Sequence, residues 1–197
     1  MDADLRLLAL PQRGHFELGT GYHGDLWLDL DALFLWPARL RPYVKELAER
    51  LAEHEINAVC GPAAGGAFLA LALAGVLGAA FLPASQVPGP GQPPSYRIAP
   101  SLLRHASGWR VAVADDAVNA GTAVLACCDV LRSAGAVPVA VAALLSVGPA
   151  GSVIAGQLSV PFYPLAQVES EVWPAAGCPL CARGVPLSNA GELHTQP

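Results

Sequence analysis

The chain has 197 residues, of which 53% are hydrophobic and 14% charged, and its formal net charge at pH 7 is −5. This composition predicts one folded domain with a large apolar core and excludes general disorder. The lysine and arginine residues form no cluster, which argues against nucleic acid as a partner. The acidic opening MDADLRLLALPQ lacks the basic flank and apolar stretch of a signal peptide, so we expect a cytoplasmic protein.

Residues 38–55 form the first strongly patterned segment. Leu40, Val44, Leu47 and Leu51 recur three or four positions apart, with charged residues between them. This spacing predicts an amphipathic helix with one face in the core.

Two later segments share one pattern, a short apolar run, a turn of small residues and a longer helical stretch. Residues 57–60 (NAVC) lead through GPAAGG into FLALALAGVLG, and residues 111–114 (VAVA) lead through DDAVNAGTA into VLACCDVLRSAG. A third run, VPVAVAALL at 137–145, is predicted as a strand without a helix after it. Apolar runs that do not alternate are typical of parallel strands covered on both faces, so we predict an α/β domain with a parallel sheet flanked by helices.

No charged residue lies between Glu55 and Arg97, which raises the alternative of a membrane span. Proline and glycine interrupt this stretch at positions 62, 65, 66, 75 and 78, whereas a spanning helix needs about 20 predominantly apolar residues. A buried strand followed by a buried helix fits better, and we expect no membrane partner.

The remaining segments are irregular or short. Residues 83–95 (PASQVPGPGQPPS) carry five prolines and two glycines, which predicts a long projecting loop whose apolar flanks pair as a hairpin. Residues 160–164 (VPFYP) fit an edge strand. The end of the chain, after Trp173, is predicted to lie as a tail on the surface.

The acids at 115 and 116 follow an apolar strand and precede a turn of small residues. Such a turn into a helix presents backbone N–H groups and the positive end of the helix dipole, which together bind phosphate. The two carboxylates would instead accept hydrogen bonds from sugar hydroxyls. A ribose 5-phosphate satisfies both demands, although two acids that merely cap a helix or form surface salt bridges remain an alternative.

The turn GPAAGG at 61–66 offers a second group of backbone amides. Two such turns on one edge of the sheet would hold both ends of a phosphorylated sugar. A tight packing turn between strand and helix is the alternative for this segment.

The stretch VAVADDAVNAGTAV at 111–124 resembles the phosphoribosyl pyrophosphate signature of the type I phosphoribosyltransferases, and the likeness is greatest to orotate phosphoribosyltransferases. GHFELGTGYHGDLWLDLDALF at 14–34 is similar to the N-terminal segment of that family. VCGPAAGGAFLALALAGVLG at 59–78 is similar to its pyrophosphate loop and the helix that follows.

This resemblance implies a homodimeric, Mg²⁺-dependent enzyme of pyrimidine nucleotide synthesis. It would transfer phosphoribosyl from phosphoribosyl pyrophosphate to a nucleobase, forming orotidine monophosphate from orotate or the product of an altered base. The implied fold is an α/β domain over residues 1–170, with a small N-terminal hood at about 1–36, followed by a tail at 171–197.

The resemblance also implies a role for each part of the site. Asp115 and Asp116 would hold the ribose hydroxyls, with Mg²⁺ bridging these hydroxyls and the pyrophosphate. The backbone contacts divide into two groups, Asn119, Ala120, Gly121, Thr122 and Ala123 for the 5-phosphate, and Ala63, Ala64, Gly65 and Gly66 for the pyrophosphate. Tyr22, His23 and Trp27 are candidates to line the base pocket, with a plain core role as the alternative for Trp27.

The sequence departs from this family where cations are expected. The loop at 83–95, which carries lysines in active orotate enzymes, contains no Lys, Arg or His. Gly19 stands near a family lysine, and residues 146–149 (SVGP) stand where the family has an arginine. No catalytic residue is therefore assigned, and a regulatory module that binds phosphoribosyl pyrophosphate or a nucleotide without turnover is the alternative function.

Four residues are candidates to replace these cations, and each also fits an ordinary surface role: Arg13, Arg97, Arg104 and His105.

The five cysteines do not predict a disulfide framework, because the chain shows no secretion signal. Cys178 and Cys181 have the C-x-x-C spacing of a zinc site but lack a second pair. His194 or the same pair from a second copy would complete four ligands, and two reduced thiols packed on the domain are the alternative. A third hypothesis for the protein is a structural role in which this tail drives assembly.

Overall fold

The computed structural model of the protein describes residues 11–18, 21–63, 65–87 and 95–188. This part contains nine strands, β1 to β9 in chain order, at Gln12–Glu17, Tyr22–Trp27, Ala58–Pro62, Ala80–Val87, Ser95–Ile98, Arg110–Val118, Val137–Val147, Phe162–Val168 and Val172–Pro174. Its seven α-helices, α1 to α7, lie at Asp31–Phe34, Pro37–Leu51, Gly65–Leu77, Pro100–Leu103, Thr122–Ser133, Ala150–Leu158 and Pro179–Ala182.

Six strands form the central sheet in the order β5-β4-β3-β6-β7-β8. All neighbours are parallel except β4 and β5, which pair as an antiparallel hairpin. The predicted α/β class is confirmed, and so is the hairpin that flanks the proline-rich loop. The tip of that loop, 88–94, lies outside the described residues.

Two apolar layers cover the sheet, one on each face. Leu47 of α2 and Leu69 of α3 pack in one core with Val59 of β3, whereas Cys127 of α5 and Ile154 of α6 pack in the other. Because the central strands are buried on both sides, their sequences do not alternate. The predicted amphipathic helix is α2, whose Leu40, Val44, Leu47 and Leu51 are all buried.

Several elements differ from the sequence prediction. Strand β6 continues through both acids to Val118, because its backbone stays paired with β7 as far as Ser146. Strand β4 runs to Val87, since the hairpin ladder carries it past Pro83. Helix α6 follows β7 and was not predicted, because its small, uncharged sequence AGSVIAGQL has no clear apolar stripe.

A second sheet joins the two ends of the chain, with the order β1-β2-β9. Strand β9 pairs antiparallel with β2, where Tyr22 lies opposite Pro174. The tail is therefore held to the N-terminal segment by backbone pairing. From here on, hood means this three-stranded sheet together with α7, and no longer the predicted N-terminal segment at about 1–36.

Strand β8 lies at the edge of the central sheet, as the sequence predicted for the segment VPFYP at 160–164, but it begins at Phe162 and continues to Val168. Among the described helices, none combines the length and the apolar character needed to cross a membrane.

Candidate active site

The order of strands reverses between β3 and β6. From β3 the chain passes through α3 to β4 on one side, and from β6 it passes through α5 to β7 on the other. The carboxyl ends of β3 and β6 are therefore neighbours, and α3 and α5 begin beside them on opposite faces. In open α/β sheets this crevice is where ligands bind.

The glycine turn after β3 touches the two acids of β6. A Cβ on Gly66 would lie 2.5 Å from Asp115 Oδ1 and 2.8 Å from Pro62 Cδ, and one on Gly65 would overlap Asp116 Oδ2. Only glycine fits at either position without displacing the acids. The structure thus brings Gly65, Gly66, Asp115 and Asp116 together, while Ala64 lies outside the described residues.

The two carboxylates are held mainly by backbone donors. The N–H of Asp116 donates to Asp115 Oδ1 at 3.1 Å, and the N–H of Ala117 donates to Asp116 Oδ1 at 2.8 Å. The salt bridges between described residues include neither acid. Free carboxylate lone pairs remain to accept hydrogen bonds from a ligand.

Burial controls the charge of this pair. Asp115 is only 8% exposed. Loss of water raises its pKa well above the ordinary 3.8, and the neighbouring Asp116 carboxylate raises it further. Burial also raises the pKa of Asp116. A cation or a set of hydroxyl donors would relieve both effects, so the acid pair fits a sugar bound together with a metal ion.

The turn after β6 is shaped to receive an anion. Gly121 has φ +76°, a left-handed conformation that places the start of α5 directly after it. The first N–H groups of an α-helix have no carbonyl partner within the helix, so they can bind a phosphate. Thr122 adds a hydroxyl at the first position of α5.

A cavity of about 370 Å³ lies at Asp115 and the turn after β6, and Asp116 and the described glycine-turn residues Ala63, Gly65 and Gly66 are not part of its lining. Its lining residues are Leu18, Tyr22, Gln86, Tyr96, Asp115, Ala117, Val118, Asn119, Ala120, Gly121, Thr122, Ala123 and Val172. Of the predicted site residues, Tyr22, Asp115 and the whole turn from Asn119 to Ala123 face one space. No Lys, Arg or His occurs among these described lining residues.

Two of the three residues predicted for a base pocket do not face this cavity. Strand β2 alternates its faces, so Tyr22 reaches the cavity while His23 and Trp27 lie on the opposite side. His23 Nδ1 is instead 3.3 Å from Cys181 Sγ, and Trp27 packs on Phe16 with ring centroids 6.4 Å apart. Neither residue lines the cavity.

The candidate replacement cations are also absent from the cavity lining. Arg13 pairs with Asp25 at 2.8 Å, Arg104 Nε donates to the Ser101 carbonyl, and Arg97 borders a separate groove. His105 is exposed.

Six lining residues were not predicted from sequence: Leu18, Gln86, Tyr96, Ala117, Val118 and Val172. The alternation of the hairpin strands could have indicated Gln86 and Tyr96, which flank the proline-rich tip. Burial, followed by the charge of Asp115, raises the pKa of Tyr96 to about 12, so its hydroxyl keeps its proton. Val172 lies on β9, a strand that the sequence did not predict.

Cys178 and Cys181 lie away from the cavity, against β1 and β2. Their neighbours there are His15 and His23, and both thiols are free. His194, the predicted further ligand, lies outside the described residues.

Comparison with known proteins agrees with this geometry. No family model matches the sequence. The orotate phosphoribosyltransferase of Aeropyrum pernix superposes with a TM-score of 0.66 at 24% identity, over 85% of this chain and 93% of that one. This likeness, with the acid pair and glycine turn at the switch point, defines the fold of a type I phosphoribosyltransferase.

Two sequence relatives identify the family more closely. The orotate phosphoribosyltransferase of Carboxydothermus hydrogenoformans is 33% identical over 91% of this chain and 90% of its own length. That of Thermoanaerobacter sp. strain X514 is 30% identical over 94% and 92%. The chain belongs to the orotate phosphoribosyltransferase family, which confirms the resemblance predicted from sequence.

Proposed function

We propose that the protein transfers the phosphoribosyl group from phosphoribosyl pyrophosphate to a ring nitrogen of a pyrimidine base, with orotate as the first candidate. The observation that carries this proposal is the contact between the glycine turn and the acid pair, directly beside the turn from Asn119 to Ala123. The three parts match the pyrophosphate, the ribose diol and the 5-phosphate of one substrate.

The roles of the residues follow from their chemistry. Asp115 and Asp116 accept hydrogen bonds from the 2- and 3-hydroxyls of the ribose. The backbone from Asn119 to Ala123 binds the 5-phosphate at the start of α5, and the turn from Ala63 to Gly66 binds the pyrophosphate at the start of α3. Tyr22 forms the base-facing wall of the cavity.

In the proposed reaction, the bond between the anomeric carbon and the pyrophosphate oxygen breaks, and the leaving group takes the electron pair. The ring nitrogen of the base, which has lost its N–H proton to solvent, then forms the new bond to that carbon. Positive charge develops on the sugar ring between these events. The buried acid pair, which lies beside the ribose in this arrangement, stabilises that charge electrostatically.

The donor set fits Mg²⁺. Asp115 and Asp116 supply hard oxygen atoms, and a dication offsets the loss of water that raises the pKa of both, together with the further rise that Asp116 causes at Asp115. These two residues would hold the ion directly or through the sugar hydroxyls. When bound, Mg²⁺ supplies the positive charge that neutralises the pyrophosphate, which matters here because the described cavity lining offers no cationic side chain.

We further propose that the enzyme is a cytoplasmic homodimer. Its free cysteines suit a reducing compartment. Large apolar side chains are exposed together where α1 and α2 meet α3, at Leu35, Trp36, Phe68, Leu71 and Val76. This face borders a groove lined by Phe34 and Val44, and an apolar surface of this kind suits a second copy of the chain.

Light scattering after gel filtration tests the dimer. Phe68→Glu is expected to give the mass of a monomer, because it places a charge in the apolar face. Val137→Glu is the matched control, because Val137 lies away from this face and is exposed to a similar extent (48%, compared with 54% for Phe68). It is expected to leave the mass unchanged. A wild-type monomer at micromolar concentration would contradict the proposal.

Calorimetry and a turnover assay test the activity. Phosphoribosyl pyrophosphate with Mg²⁺ is expected to bind the purified protein, and addition of orotate is expected to release pyrophosphate and form orotidine monophosphate. A panel of other pyrimidines then defines the base. Binding without turnover on any base would support the regulatory alternative, for which the uncharged loop at 83–95 is the motivating observation, and absence of binding would contradict both functions.

A further inference from the structure

Four potential metal ligands from the two ends of the chain meet inside the hood. His15 lies on β1, His23 lies on β2, and Cys178 and Cys181 flank the start of α7. One ligand atom from each residue can be chosen so that all four lie within 4.8 Å of one another. His15, His23 and Cys178 are buried, and only Cys181 is exposed.

The separations match tetrahedral zinc. With Zn–N near 2.0–2.1 Å and Zn–S near 2.3 Å, a tetrahedron places two nitrogens about 3.3 Å apart, and a nitrogen and a sulfur about 3.6 Å apart. Here His15 Nε2 and His23 Nδ1 are 3.1 Å apart. The nitrogen–sulfur distances are 3.3 Å from Cys178 to His15, 3.7 Å from Cys181 to His15 and 3.3 Å from Cys181 to His23.

The hydrogen bond of His15 also suits a metal ligand. His15 Nδ1 lies 2.8 Å from the carbonyl oxygen of Val185, which can only accept a hydrogen bond. Nδ1 must therefore carry the proton and donate it, which leaves the lone pair of Nε2 directed at His23 and the two sulfurs. A metal-binding histidine commonly has such a partner on its other nitrogen, which orients the ring.

We propose that His15, His23, Cys178 and Cys181 of one chain bind a structural Zn²⁺ ion. Four protein ligands fill the tetrahedron and leave no position for substrate, so the ion stabilises the fold and takes no part in the transfer reaction. It also ties α7 to β1 and β2 across more than 150 residues of sequence. This inference does not depend on the proposed transferase activity.

Residues close in sequence to the proposed metal ligands line the active-site cavity. Tyr22 precedes a ligand on β2, and Val172 lies on β9, which leads through a short turn to Cys178. Both residues line the cavity. Loss of the metal is therefore expected to weaken base binding more than binding of phosphoribosyl pyrophosphate, whose proposed contacts lie on the central sheet.

Metal analysis of the full-length protein tests the proposal. After expression with zinc and purification in a phosphine reductant, we expect about one zinc ion per chain. Cys181→Ser and His23→Gln each remove one ligand. Since loss of an outer partner alone costs 10–100-fold in affinity, we expect these variants to bind zinc at least about 100-fold more weakly.

Matched controls remove the same chemical groups elsewhere. Cys128→Ala deletes a buried thiol of the central core, and His105→Gln deletes an exposed imidazole, so both are expected to keep the full zinc content. Retention of zinc by Cys181→Ser and His23→Gln would overturn the ligand set. About half an ion per chain would also overturn it, because the ion would then be shared between two copies.

Cobalt provides a readout that does not need the variants to fold. Co²⁺ added to the metal-free wild-type protein is expected to give the visible bands of a tetrahedral ion and a sulfur-to-cobalt charge-transfer band. A weak octahedral spectrum, or no zinc and no cobalt uptake by fully reduced protein, would show that the cluster is only a hydrogen-bonded group of thiols and imidazoles.

Discussion

Replacement of Gly66 by alanine tests the contact on which the proposed active site depends. The new Cβ would stand 2.5 Å from Asp115 Oδ1, and real Cβ contacts are essentially never shorter than 3.0 Å. Pro62, whose Cδ lies 2.8 Å away on another side, is a rigid ring and blocks escape in that direction. The carboxylate of Asp115 must therefore retreat by at least 0.5 Å, the difference between those two distances.

The cost follows from the bond that this movement breaks. Asp115 Oδ1 accepts the N–H of Asp116 at 3.1 Å, so a further retreat takes the pair beyond hydrogen-bonding distance. A hydrogen bond to a charged group contributes about 1.5–3 kcal/mol. Gly66→Ala is thus expected to lower the free energy of unfolding by about that amount and to weaken binding of phosphoribosyl pyrophosphate at least about tenfold.

Gly75 supplies the matched control within the same helix. Nothing lies within 4 Å of a Cβ built there. Gly75→Ala should therefore stabilise α3 by about 0.5–1 kcal/mol through helix propensity alone. In urea denaturation, Gly66→Ala is expected to be less stable than wild type and Gly75→Ala more stable, so the free energies of unfolding of the two variants should differ by about 2–4 kcal/mol.

One result for Gly66→Ala and Gly75→Ala would contradict this reasoning. If Gly66→Ala were as stable as Gly75→Ala and bound the substrate normally, the turn after β3 would not pack on the acids. The proposed pyrophosphate and ribose sites would then no longer adjoin.

Three further predictions concern the acids and the base wall. Asp115→Asn keeps an oxygen for the Asp116 N–H but loses the charged acceptor, so calorimetry is expected to show phosphoribosyl pyrophosphate bound about 10- to 150-fold more weakly; unchanged affinity would exclude a role in holding the sugar. The pKa of Asp115 is raised in the folded state, so the stability of the wild type relative to Asp115→Asn should fall as pH rises from 3.8 through the raised pKa. Urea titrations at several pH values test this trend, and a constant stability difference between the two proteins would contradict it. Tyr22→Ala is expected to raise KM for the base without changing stability. Trp27→Ala, on the opposite face of β2, should lower stability with little change in KM. Steady-state kinetics and urea unfolding test this contrast, and the reverse pattern would return Trp27 to the base pocket.

The sequence predicted the central sheet well because burial on both faces leaves a direct signal. Continuous apolar runs at Val59 and Val113 indicated parallel strands, and the small residues after them indicated turns into helices. Helix α6 was not predicted, because its sequence has no charged face that would contrast with a buried one. The parts of the site carried by these turns, Asp115 and Gly66 among them, could therefore be located from sequence.

The hood could not be predicted in the same way. Whether Tyr22 or His23 faces the cavity depends on the phase of a six-residue strand, and a shift of one residue exchanges the faces. The sequence assigned both residues to the base pocket, which strand alternation does not allow. The pairing of Cys178 with His15 joins residues 163 positions apart, and no local pattern encodes such a contact.

The small size of the hood explains why it would need a metal. Its strands have six, six and three residues, and Phe16 and Leu26 are the only large apolar side chains of these strands that are fully buried among the described residues. A sheet of this size with so little burial is marginally stable in water. Metal ligation contributes directly to folding free energy, so a zinc ion at His15 and Cys178 would stabilise this sheet in addition to its hydrophobic packing. Since Tyr22 and Val172 of this sheet face the cavity, the ion would also keep the base wall in place while the central sheet binds the phosphorylated sugar.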